Sequence, residues 1–291
     1  MIFPTILQPL LAALALAAIV TAAHRRLQPE IAARTVTTTL AIVAVAAAPT
    51  MWILSIGYVA HLPLLDGRLD WCAQSLGVHD PIPLWVGLPA LFFSVVGVLR
   101  VRAVLRNYRR LRHDQRGAVS ITEHAQPFAF TLPGRGGQVI LSTGLVEMLD
   151  EAEQGVVLAH EHTHARHRHD RYLLTAQLAA AVVPPLRPLA RRLQFSLERW
   201  ADETAVAHCG DRGFVARTLG KVALRTFTPI GAMGFTGLGV PARVAALLAP
   251  PAGPMRSSTQ AALWGAIIVT AALAAFQLHH LARLISALCP G

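Results

Sequence analysis

The sequence predicts a mainly α-helical membrane protein, with four transmembrane helices and one α+β domain set between the third and the fourth. Three observations predict it. Of 291 residues, 54% are hydrophobic and only 14% charged, with mean hydropathy +0.47; soluble domains carry about 25% charged residues. Four apolar runs, 5–23, 36–60, 82–99 and 261–278, approach the ~20 helical residues that cross a bilayer. Between the third and fourth runs the pattern shifts to short strand-like and amphipathic segments.

The first run ends at His24-Arg25-Arg26. A cleaved leader carries its positive charge before the apolar core, and here the charge comes after, so the run is read as a retained span. Residues 36–60 are long enough to cross with some tilt, and Pro49 is a candidate kink. Residues 61–81 form a polar loop with Asp66, Asp70 and Asp80 against Arg68. The third run is shorter and carries Pro83 and Pro89. Seven arginines then follow within 17 residues: Arg100, Arg102, Arg106, Arg109, Arg110, Arg112 and Arg116. Basic flanks collect on the cytoplasmic side, which places this segment and the 24–35 loop inside. The amino terminus and the 61–81 loop then lie outside. A solvated helix face also explains the arginines, and it too describes a helix leaving the membrane.

From Ala118 three strand-like runs follow, Ala118–Thr122, Gln126–Leu132 and Gln138–Ser142, with a turn at Gly134–Gly137. Ser142 or Thr143 can cap a short helix over 144–149. Asp150 and Glu153 have the spacing of a capping box and open the next helix. Residues 172–183 are apolar but stop at Pro184-Pro185, too short for an ordinary span, so they read as a core helix or a re-entrant piece. A further helix is expected from about Arg187 to His208, with Gly210 as its C-cap. Residues 228–240 are a Gly-rich loop, and the last span follows. The expected division is 1–99 for three spans, 100–255 for the cytoplasmic domain and 256–291 for the fourth span and tail.

Net charge is +10, almost all from arginine, since Lys221 is the only lysine. No aromatic-interleaved basic motif and no zinc-finger spacing is present, so direct nucleic-acid binding is not expected. The basic excess beside apolar runs suits anionic lipid headgroups. Cys72, Cys209 and Cys289 are far apart, and there is no CxxC, hence no sign of a disulfide framework or a cysteine metal site.

The chemistry centres on His160-Glu161-His162-Thr163-His164, an H-E-x-x-H pattern on an expected helix. Residues four apart share a helix face, so His160 and His164 can turn two imidazoles to one metal ion. Zinc lowers the pKa of a bound water to near 7, so Glu161 suffices as the base that takes its proton. A catalytic zinc usually has a third protein ligand. Asp170 stands ten residues after His160, but that geometry calls for a glycine turn where this chain has His167. Glu198 lies 34 residues after His164, with Asp202 one turn further on the same face. Glu198 could reach the metal from a second helix while Asp202 holds a ligand imidazole. The same spacing also fits an ordinary salt-bridged surface helix. His162, His167 and His169 are read as solvated or substrate-facing. His208 and Asp202 could each touch the reacting carbonyl.

His160–His164 followed by Glu198-x-x-Ala201-Asp202 resembles gluzincin-type membrane metallopeptidases. Over roughly residues 100–250 the chain resembles the BlaR/MecR peptidase family in a short form that stops at Gly291, without the penicillin-binding sensor domain of the antibiotic sensors. The HtpX/Ste24 family shares the E-x-x-A-D element. The resemblance implies a gluzincin-like zinc peptidase domain facing the cytoplasm. His160, His164 and Glu198 would bind Zn2+, Glu161 would be catalytic, and Asp202 would stand behind a ligand. It implies a zinc metalloendopeptidase of the cell membrane that acts in signal transduction. The substrate would be a cytoplasmic protein, either a transcriptional repressor or the enzyme itself. Quality control of membrane proteins and a non-catalytic metal-binding sensor are the alternatives. Substrate binding by strand addition is expected at 126–132 or 138–142.

Overall fold

The computed structural model describes residues 3–62, 81–112, 119–134, 137–225, 239–250, 253 and 257–288. Most of the expected 61–81 loop, Arg116, the centre of the 134–137 turn and nearly all of the 228–240 loop lie outside the described residues.

The order is α1 (Phe3–Ala23), α2 (Pro29–Ala60), α3 (Leu84–Leu111), β1 (Val119–Thr122), β2 (Ala129–Leu132), β3 (Gln138–Ser142), α4 (Thr143–Met148), α5 (Glu151–Arg166), α6 (His169–Val182), α7 (Arg187–Cys209), α8 (Arg212–Arg225), α9 (Val240–Leu248) and α10 (Ser257–Leu288). Among the described residues, three helices are long and apolar enough to cross a membrane: α2, α3 and Ser257–His279 of α10. The first apolar run forms a shorter stretch, Leu7–Ala23. Helix α2 starts seven residues before the apolar run and continues through Pro49 without a break. Helix α3 likewise carries the expected third span straight on into the arginines. Its outer face, with Trp85, Phe92 and Leu99 exposed, is what a lipid-facing helix presents.

Helix α2 is the hub of the spans. It packs against α1, α3, α6, α7 and α10, and one core joins these elements except α3: Val20, Leu40, Val43, Ala179, Leu193, Leu197, Trp200 and Ile267 all lie within it. The short apolar helix α6 is therefore lodged among the long apolar helices. It ends at Val182, with Val183 as its C-cap, because Pro184 forbids continuation. A second core joins the sheet to α4, α5, α8 and α9 through Val139, Leu141, Val156, Val157, Leu219 and Leu247. Helix α7 contributes to both cores.

The sheet order is β1-β3-β2, with β1 parallel and β2 antiparallel to β3. Thr131 stands opposite Val139 and Ala129 opposite Leu141. The central place of β3 corrects one expectation: 138–142 has partners on both edges, which leaves β2 as the candidate for strand addition near the site. Gly137, at φ +66°, runs against α5 so closely that a Cβ would lie 2.6 Å from that of Ala165. Only glycine meets both demands there.

Candidate metal centre

Helix α5 starts on the expected capping box: Asp150 accepts from the Glu153 N–H at 2.8 Å, and Glu153 accepts from the Asp150 N–H at 3.0 Å. The box and buried Val156 and Val157 fix the register of the helix against the sheet. His160, Glu161 and His164 then point to one side. The Nε2 atoms of His160 and His164 are 3.1 Å apart. Glu198 on α7 closes the group, with Oε2 at 3.5 Å from His160 Nε2 and Oε1 at 3.7 Å from His164 Nε2.

One ligand atom from each of His160, His164 and Glu198 lies within 4.8 Å of the others. Two imidazole lone pairs at 3.1 Å repel unless a proton or a cation sits between them. Two imidazoles and one carboxylate are a catalytic zinc donor set with a position to spare, so the residues present fit the ion.

Glu161 is buried at 2% exposure. The Thr131 hydroxyl on β2 lies 2.7 Å from Glu161 Oε2 and 3.0 Å from its carbonyl oxygen, so its one proton can go to either. That contact ties the candidate base to the edge strand.

Asp202 Oδ1 lies 3.1 Å from His160 Nδ1. It does not face a substrate: it is 2% exposed and gripped by Arg243. Arg243 Nε and Nη2 donate to Asp202 Oδ2 and Oδ1 at 2.8 and 2.5 Å, and Nη1 lies 3.0 Å from Glu198 Oε2. Sequence reasoning missed Arg243. The signal was there, because Arg243 shares the apolar face of α9 with Val240, Val244 and Leu247, and an arginine on such a face must find buried acids. Arg212 holds α9 in place: it forks onto Glu203 at 2.6 and 2.9 Å and donates to the Leu247 and Ala246 carbonyls at 2.9 and 3.1 Å.

The charges follow. Burial works against an ionised Glu198, but Arg243, His160 and His164 together outweigh it and lower the pKa. Burial opposes ionisation of Asp202 too, but the hydrogen bonds and charge of Arg243, with His160 beside them, carry its pKa far below the ordinary range. Burial disfavours a charged His160, yet hydrogen bonds to Asp202 and Glu198 raise its pKa from 6.5 to about 9. His164 is lowered, chiefly by burial.

Asp170 is not in the group. Its Oδ2 accepts from Tyr108 at 2.7 Å, and Arg168 Nε lies 3.4 Å from Oδ1. A sharp turn does follow the motif, contrary to the argument from a missing glycine: Arg168 adopts φ 55° and breaks α5 from α6. Residues other than glycine reach that region at a cost, which surrounding contacts must repay. The turn overturns another expectation. His169 is neither solvated nor substrate-facing: it is 1% exposed, with Nδ1 2.8 Å from His164 Nδ1. His162 is exposed, and half-buried His167 packs on Trp200 at 4.7 Å. His162 and exposed His208 line a groove of about 550 Å3 between α5 and α7, along with Thr204 and His167.

No curated protein and no solved structure matches the chain. The match to the sequence model described as Peptidase family M48 covers residues 100–184, from the end of α3 to α6, and includes His160, Glu161 and His164. With the apolar helices and the His160–His164–Glu198 group, that match supports a membrane-associated metallopeptidase.

Proposed function

We propose that this chain is a membrane-embedded zinc metalloendopeptidase with four spans and an active site open to the cytoplasm. Its ligands would be His160, His164 and Glu198, with Glu161 catalytic and Asp202 behind His160. The observation that carries the reading is the convergence of three ligand atoms within 4.8 Å beside the buried carboxylate of Glu161.

Zinc, when bound, would polarise a peptide carbonyl and bring the pKa of a water toward 7. Glu161 takes the proton from the attacking water and passes it to the leaving amine. Thr131 steadies that carboxylate. Asp202 fixes the ring of His160, and Arg243 holds Asp202 and Glu198 ionised in a buried place. The edge of β2 offers backbone groups to an extended substrate segment, which would pass close to Glu161.

Within this class, the substrate in the leading reading is a cytoplasmic protein cleaved in signal transduction, a repressor or the chain itself, as in BlaR/MecR-type peptidases. One observation favours a second reading, HtpX/Ste24-like quality control. The ligand helix α7 and the helix α6 pack on the spans, so membrane proteins are within reach of the site.

The test is metal analysis with peptide cleavage on the detergent-solubilised chain. Wild type should hold about one zinc and cleave. Glu198→Ala should lose the metal, and Asp170→Ala should keep it. Zinc lost from Asp170→Ala alone would overturn the assignment.

A further inference from the structure

Helix α5 ends at Arg166, the chain swings through Arg168, and His169 arrives as the first residue of α6 with its ring against that of His164. The ring centroids are 4.7 Å apart at 86°, and the two Nδ1 atoms are at 2.8 Å. Between two such nitrogens one proton must be shared: one donates and the other accepts. The other nitrogen of His164 settles which. His164 Nε2 faces His160 Nε2 at 3.1 Å and Glu198 Oε1 at 3.7 Å, so it is the atom turned to the metal group. As a ligand it must be bare. The proton of His164 then sits on Nδ1 and is donated to His169 Nδ1. The proton of His169 is thereby driven to Nε2, which is buried without a hydrogen-bond partner beside Trp200, at a ring distance of 4.9 Å.

We propose that His169 is a positioning residue that fixes the tautomer and ring orientation of His164 for metal binding, as a neutral acceptor where His160 has the carboxylate of Asp202. The inference rests on the metal-site reading above. Its consequence is an asymmetric pair of ligands. Partners of ligating histidines raise their basicity, and an anionic partner does so more than a neutral one. His160 is the stronger donor, and His164 depends on its neighbour chiefly for tautomer and orientation. The turn at Arg168 gains a reason: only a reversal there brings residue 169 back onto the ring of residue 164.

The test separates the acceptor from the bulk of the ring. Asparagine places its amide oxygen where Nδ1 of histidine stands, and glutamine places it one atom further out. His169→Asn and His169→Gln would be purified as full chains in detergent, with wild type and His169→Leu beside them. Zinc affinity would be measured by chelator competition, and the visible spectrum of the cobalt(II) form recorded. The expected result is affinity within a few-fold of wild type and an unchanged cobalt spectrum for His169→Asn. His169→Gln and His169→Leu should lose about 10- to 100-fold, the usual cost of removing such a partner, with a shifted spectrum. Equal losses in the asparagine and glutamine variants, or no loss in the glutamine variant, would overturn the proposal. Should His169→Leu fail to fold, the asparagine–glutamine pair still decides. Wild type that bound neither metal would overturn the metal-site reading itself, which these other outcomes leave standing.

Discussion

The hydroxyl of Tyr108 donates to Asp170 Oδ2 at 2.7 Å and fastens the end of α3 to the first turn of α6. The bond joins the arginine-rich end of an apolar helix to the residue that follows His169. Tyr108→Phe removes one hydrogen bond to a charged group and leaves Asp170 to Arg168. The expected loss is about 1.5–3 kcal/mol of stability, with zinc content unchanged and turnover reduced, measured by thermal unfolding, metal analysis and cleavage rate. Loss of zinc on this change would instead make Asp170 part of the metal group.

Glu161→Gln keeps the shape of the side chain and its place beside Thr131 but removes the base. Zinc should remain near one per chain, and cleavage should fall by about 100- to 10,000-fold. Substantial turnover in the zinc-loaded variant would remove Glu161 from its role.

Arg243→Met leaves Glu198 and Asp202 buried without the guanidinium that bridges them. Breaking a buried pair this way costs about 3–5 kcal/mol, so the variant should unfold well below wild type. Arg243→Lys should not restore it, because an ammonium cannot fork onto both Asp202 oxygens. Recovery by Arg243→Met combined with Asp202→Asn would show that the penalty comes from the stranded charge.

The pH dependence has a definite sign. In the metal-free protein the pKa of His160 is raised to about 9 by Asp202 and Glu198, against burial. A raised histidine contributes stability that is complete below 6.5 and lost as pH climbs through about 9. The metal-free melting temperature should fall across that window, and the zinc-loaded protein should not show the fall. Ligation needs the bare nitrogen, while His164 is already lowered. Zinc affinity should therefore rise about tenfold per pH unit between 7 and 9, with one proton released. A pH-independent affinity in a titration series would contradict this.

Local patterns carried the parts of the site that sit on one helix. The capping box, the H-E-x-x-H face and the four-residue step from Glu198 to Asp202 all follow from helix periodicity, and the structure places each on a helix with that spacing. What escaped were contacts made across turns and loops. His169 reaches His164 only because Arg168 takes a conformation that a rule about glycine would deny it. Arg243 comes to Asp202 from 41 residues away, after a Gly-rich stretch that gives no direction. Its charge on an apolar face announced burial without naming the partners.

Helix α7 runs through both cores. Leu193, Leu197 and Trp200 pack with α1 and α2, Ala205 packs toward the sheet, and Glu198 and Asp202 lie between. The anchor and the catalytic part therefore melt together. A fragment excised at Arg100 would bare Leu193, Leu197 and the face of α6 to water, and it would aggregate or collapse around the ligands. Under the proposed function, proteolytic shedding would not release a folded soluble peptidase. The site would, under that same function, meet its substrates at the membrane surface, because the helix that carries Glu198 and Asp202 is packed into the apolar helices.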